Sequence, residues 1–92
     1  MKTVSLLVKG KVQGVWFRKY TQETAVRLGI TGTVENCPDG SVLIHATGTG
    51  AQLQELVSWC RTGPPRAEVS AVETKEVPLA IFPDFRIVRH FL

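Results

Sequence analysis

The spacing of apolar residues changes repeatedly along this chain, from alternate positions to one helical face and back, and each change removes folds that a chain of its size could otherwise adopt. From Thr3 to Lys9, Val4, Leu6 and Val8 alternate with Ser5, Leu7 and Lys9, as in a strand with one buried face, and Gly10 is expected to end it. Phe17, Tyr20, Thr24 and Leu28 then recur at helical spacing until Gly29. Two strand-like runs follow, Ile30 to Asn36 and Ser41 to Thr47. They flank Cys37-Pro38-Asp39-Gly40, whose Pro-Asp-Gly suits a type I turn closing on a glycine with positive φ, so a hairpin is expected. Thr49 and Gln52 have the form of a capping box ahead of Leu53, Leu56, Val57 and Cys60, which trace one helical face until Gly63-Pro64-Pro65. Val69 to Val77 is rich in β-branched residues, Pro78 and Pro83 frame a loop, and Phe85, Ile87 and Arg89 alternate with Arg86, Val88 and His90 in a last strand.

Strand, helix, strand, strand, helix, strand is the ferredoxin-like split βαβ order. The expected fold is therefore α+β: a βαββαβ sandwich with two helices on one face of an antiparallel sheet and an extra short C-terminal strand. A chain of 92 residues supplies one core and not two, so residues 1–92 are read as one domain. With 43% hydrophobic and 21% charged residues, the composition is that of a chain that folds. No apolar run approaches the roughly 18 residues of a membrane span, and the N-terminus lacks a secretory pattern, so a cytoplasmic location with no membrane partner is expected. Cys37 and Cys60 fit neither a redox pair nor a zinc spacing; reduced thiols are expected, Cys60 in the core and Cys37 beside the turn. A net charge of +3 suits a small anionic substrate but lacks the dense Lys/Arg run of a nucleic-acid surface.

The approach to the first helix is unusual. No Ser, Thr, Asp or Asn precedes Phe17 to satisfy the free amides, and the first turn carries Arg18 and Lys19 where the helix end is already positive. Both choices make sense if an anion occupies the helix end. Gly10 and Gly14 would let the intervening backbone turn its N–H groups inward to form an anion cradle. The loop is neither a Walker A sequence nor Gly-x-Gly-x-x-Gly, so nucleotide binding is not supported. Taken locally, a second reading stays open, in which the glycines only shape a strand-to-helix turn and the two cations are solvated.

Gly10-Lys11-Val12-Gln13-Gly14-Val15-Trp16-Phe17-Arg18, together with Thr31-Gly32-Thr33-Val34-Glu35-Asn36-Cys37-Pro38-Asp39-Gly40-Ser41-Val42, resembles the two signature stretches of the acylphosphatase family. Pro65-Arg66-Ala67 and Asp84-Phe85-Arg86-Ile87 extend the resemblance along the chain. It implies a hydrolase that splits the carboxyl-phosphate bond of small acyl phosphates to a carboxylate and inorganic phosphate. By the same resemblance Arg18 binds the phosphoryl group, Asn36 positions the attacking water, and the loop of Val12, Gln13, Gly14, Val15 and Trp16 supplies amides. Thr33 stands where the family often has an aromatic residue and Cys37 where it often has a threonine; neither is a proposed catalytic group.

The chemistry is compatible with so sparse a set. A carboxylate is a weakly basic leaving group that needs no general acid, and phosphoryl transfer depends mainly on alignment and charge stabilisation. A guanidinium can grip the phosphate bidentately, and a carboxamide can hold a water without acting as a base; the resemblance implies that the substrate's own phosphate takes the proton. His45 and His90 show no pattern pairing them with a carboxylate and are expected to be structural or surface residues. The scattered acidic residues predict no metal, and no cofactor is expected. Trp16 and Trp59 are expected to pack, the second beside the apolar face of its helix. The alternative is a non-catalytic acyl phosphate or nucleic-acid binding domain of the same fold. Against RNA binding, Val4 to Lys9 and Ser41 to Thr47 contain no aromatic residue for base stacking. A metallochaperone would need a thiol pair in the first loop, and a sensor within a larger assembly would need an appended domain. A monomer that binds no nucleic acid is expected.

Overall fold

The computed structural model describes residues 1–90, in the order β1 (Lys2–Lys11), α1 (Phe17–Leu28), β2 (Thr31–Asn36), β3 (Val42–Gly48), α2 (Gly50–Thr62), β4 (Glu68–Val77) and β5 (Phe85–Val88). The strands form one sheet in the order β4-β1-β3-β2-β5. Four of them, β4 to β2, are antiparallel neighbours as the alternation implied. The fifth is not: β5 runs parallel to β2, pairing Gly32 with Phe85 and Glu35 with Val88, so the sheet is mixed and not purely antiparallel. The reason lies in the connection. Residues 78–84 carry the chain from the β4 edge to the opposite edge, and a strand arriving there after crossing the sheet enters in the direction of β2.

That crossing is pinned. Thr3 and Thr47, paired across β1 and β3, are both buried on the face away from the helices, with their hydroxyls 2.7 Å apart. The Ala80 amide donates to Thr3 Oγ1 at 2.9 Å, and Thr47 Oγ1 donates to the Ala80 carbonyl at 2.8 Å. Two buried threonines thus answer the backbone of an irregular segment that would otherwise lose its hydrogen bonds on leaving water.

On the other face the core collects Leu6 and Val8 of β1, Val34 of β2, Val42, Ile44 and Ala46 of β3, and Phe85 of β5 under both helices. Each fully buried aliphatic or aromatic side chain contributes roughly 1.5–3 kcal/mol relative to exposure, so this cluster is what holds helices to sheet. α2 starts at the expected capping box, with Gln52 N–H donating to Thr49 Oγ1 at 3.2 Å and Thr49 N–H to Gln52 Oε1 at 2.8 Å. Leu53, Leu56 and Cys60 face inward from it, and Val57 is half-buried. α1 is rotated from the expected face: Phe17, Thr21, Thr24 and Ala25 are buried, while Tyr20 is exposed. Thr21 tolerates burial because its hydroxyl donates to the Phe17 carbonyl one turn back at 2.8 Å. Gly10 does not end β1 either. The pairing with β4 shifts between Lys9 and Gly10, a bulge at φ 125 where a Cβ would lie 2.1 Å from the Glu68 carbonyl oxygen, and the strand continues to Lys11. Among the described residues, no helix is long and apolar enough to cross a membrane.

Candidate active site

Between β1 and α1 the chain alternates anchors with presented backbone. Val12, Val15 and Phe17 are buried at 1%, 6% and 1% exposure, which fixes the loop to the core. Gly14 and Trp16 between them take left-handed conformations, φ 73 and φ 65. Trp16 is the one non-glycine residue with positive φ among those described, at a cost of roughly 1–2 kcal/mol for an L-residue. It occupies the N-cap and makes no side-chain cap, and no acidic residue stands in the first turn. The first amide with a helical partner is that of Tyr20, which donates to the Trp16 carbonyl at 3.1 Å. Among the described residues, no acceptor meets the amides of residues 13–19. The run of unanswered amides begins after β1 and not at Gly10, which is paired within the strand.

Gln13 joins this loop to the hairpin. Its Nε2 donates to the Cys37 carbonyl at 2.8 Å and to the Ser41 carbonyl at 2.9 Å. The hairpin turn is itself closed, with Cys37 N–H donating to Ser41 O at 2.8 Å and Gly40, at φ 94, donating to Cys37 O at 3.1 Å. Asp39 Oδ1 accepts from the Ser41 hydroxyl at 2.6 Å and the Ser41 amide at 3.0 Å, and these bonds, the hydroxyl first, hold its carboxyl below the ordinary value. One glutamine side chain thus ties the end of β2, and with it Asn36, to the mouth of α1.

A cavity of about 550 Å³ opens at this junction. Of the residues expected at the site, Val12, Gln13, Gly14, Trp16, Arg18 and Asn36 line it; Val15 does not, since its side chain belongs to the core. Lys19 and Gln22 join from α1, and Ile87 and Arg89 from the last strand and the residue beyond it. An adjoining recess of about 350 Å³ shares Arg18, Asn36 and Arg89 and adds Val88 and His90. Arg18 is half-buried whereas Lys19 is exposed.

Two expectations are corrected here. Trp16 does not pack: it is 67% exposed, with Lys19 Nζ 5.6 Å from its ring centroid, because the left-handed backbone turns it outward and Val15 takes the core position. Trp59 does pack, half-buried against Phe17 with ring centroids 5.5 Å apart. His90 has a carboxylate partner after all, its Nε2 lying 2.5 Å from Glu35 Oε2. His45 is half-buried on β3 and lines neither cavity. Arg89, Gln22 and His90 escaped the sequence reading because their place depends on the parallel pairing of β5. The one usable signal was the alternation that set Arg89 on the side of Phe85 and Ile87. Gln22 fastens α1 to this edge, donating to the Phe85 carbonyl at 2.9 Å.

Both cysteines are free, Cys37 half-buried and Cys60 buried, where desolvation pushes the Cys60 thiol up to about 12. Among the described residues, no group of three His, Cys, Asp or Glu side chains could hold a metal ion.

The family model for acylphosphatase matches residues 4–87. The chain is 47% identical over 90 residues to an acylphosphatase of Shewanella amazonensis, covering 97% of this chain and 99% of that one. Among solved structures it resembles an acylphosphatase from Bacillus subtilis, with TM-score 0.94, 34% identity and coverage of 97% and 100% of the two chains. It also resembles one from Coxiella burnetii, with TM-score 0.92, 37% identity and coverage of 95% and 92%.

Proposed function

The chain belongs to the acylphosphatase family and is a hydrolase of acyl phosphates, and from that premise we propose that Arg18 and the loop amides bind the phosphoryl group while Asn36 positions the attacking water. The observation that carries this reading is that residues with unanswered amides, the half-buried Arg18 and Asn36 line a single cavity. A charge pair about 4 Å apart gains roughly 4 kcal/mol at an effective dielectric of about 20 and only about 1 kcal/mol in water. The half-buried Arg18 therefore outweighs the exposed Lys19 as the main phosphate ligand.

The reaction needs little else. The water oxygen attacks phosphorus as the bond from phosphorus to the acyl oxygen breaks, and that bond's electron pair leaves with the carboxylate. The water proton passes to a phosphate oxygen, so no side chain has to act as a strong base. Arg18 and the amides neutralise the equatorial oxygens, and Asn36 holds the water in line. No metal is required, because a carboxylate leaves without protonation or Lewis-acid help. The exposed ring of Trp16 offers an apolar wall for the acyl part. A single chain supplies Arg18, Asn36 and the loop amides, and the proposed working unit is a monomer.

The test is hydrolysis of benzoyl phosphate with inorganic phosphate as competitor. Arg18→Ala is expected to lower kcat/KM by roughly a thousandfold and to abolish inhibition by phosphate, whereas Asn36→Ala loses kcat about a hundredfold with phosphate inhibition retained. Full turnover in either variant would contradict the assignment.

A further inference from the structure

Resting on that reading of the site, we propose that Arg89 is a second anion-binding group and selects acyl phosphates whose acyl part itself carries a carboxylate or a similar anion. Its place follows from strand pairing. Glu35 of β2 lies opposite Val88 of β5 in parallel register, so the next residues along the chain, Asn36 at the end of β2 and Arg89 just beyond β5, reach the same end of the sheet. Arg89 lines both the larger cavity and the recess beside it.

Charge gives the second argument. Three cations, Arg18, Lys19 and Arg89, line the larger cavity with no carboxylate among its walls. Among the described residues none of the three is ion-paired, although Lys9, Arg86 and His90 each have an acidic partner. A phosphoryl group brings at most about two negative charges. Arg18, the loop amides and the positive end of α1 already answer these, which leaves a guanidinium from another element facing the rest of the substrate.

The third argument is preorganisation. Arg89 follows Val88, whose backbone is paired to β2, and precedes His90, whose ring meets the Glu35 carboxylate 2.5 Å away. It is thus bracketed by two attachments to the same strand, and its planar fork loses less freedom on binding a carboxylate than a lysine on a loose tail would. The side chain itself remains exposed, so its contribution should weaken as salt rises.

The experiment compares benzoyl phosphate with its para-carboxylate derivative, which matches it in ring and leaving group and cannot cyclise. The wild-type chain is expected to favour the carboxylated substrate in kcat/KM. Arg89→Gln is expected to lose on the order of tenfold on that substrate, mostly in KM, with benzoyl phosphate hydrolysis held within about twofold, and Arg89→Lys to recover part of the loss at low salt. Equal losses on both substrates would place Arg89 at the phosphoryl group and overturn the proposal, as would no loss on either. Arg18→Ala assayed beside it separates the two readings: benzoyl phosphate turnover surviving that change refutes the underlying site, whereas its loss with an unselective Arg89→Gln refutes only the second anion contact.

Discussion

Helix α2 begins with two amides, those of Thr49 and Gln52, answered by its own side chains, and α1 begins with no amide of residues 13–19 answered among the described residues. At α2 the Thr49 hydroxyl and the Gln52 carboxamide reach back to each other's backbone, and the N-cap has ordinary extended geometry, φ −74 and ψ 161. At α1 a tryptophan stands at the N-cap in a left-handed conformation, and cations occupy the first turn. The first arrangement stabilises the fold by tying the Thr49 and Gln52 amides to side chains of the same turn. The second keeps a strained residue, unpaired donors and like charge together, which is tolerable where an anion completes them. The contrast separates a helix end closed by its own capping box from the one at which we propose the phosphoryl group binds.

Four measurements would break or sharpen this contrast. The largest effect is the loss of activity in Arg18→Ala, about a thousandfold in kcat/KM; in urea unfolding without phosphate the same variant should be no less stable than wild type, because it relieves cationic repulsion at an empty helix end. Next, inorganic phosphate at a hundred times its Kd should stabilise wild type by about 2.7 kcal/mol, and the gain should vanish in Arg18→Ala. Thermal midpoints that ignore phosphate would contradict an anion at α1. Third, Thr49→Ala should cost about 1 kcal/mol of stability with kcat/KM on benzoyl phosphate unchanged; a drop in activity per folded molecule would break the separation of roles. Smallest, Trp16→Gly should gain roughly 0.5–1 kcal/mol by removing the strained side chain while raising KM for benzoyl more than for acetyl phosphate. If it loses stability, the left-handed N-cap is not strained as argued.

Local rules carried the reading of the sequence far where their cause was local. Thr49 and Gln52 lie three residues apart, Pro38-Asp39-Gly40 closes on itself, and the alternation in β1 and β3 is visible within each strand. Each of these elements formed where the sequence put it, within a residue or two. Tyr20 misled because its spacing suits a buried face as well as an exposed one, and the choice of Thr21 instead depends on how the helix rolls against β2 and β5. Gly10 misled because a bulge and a strand end ask for the same residue, and only the backbone of β4 crowding against it tells them apart.

By itself the sequence determined the order of elements, the hairpin turn, both helix ends and, through two stretches that resemble a known family, the residues on which catalysis is proposed to depend. Those depend on contacts within a few positions, where backbone geometry and hydrogen-bonding capacity act directly. Tertiary structure alone decided that β5 pairs in parallel with β2, that Trp16 faces outward, that Gln13 binds the hairpin, and that Arg89 and the Glu35–His90 pair stand beside Asn36. These features join residues distant in sequence, and which distant residues meet is set by the burial of the whole sheet under two helices, a cooperative outcome that no short stretch of chain encodes.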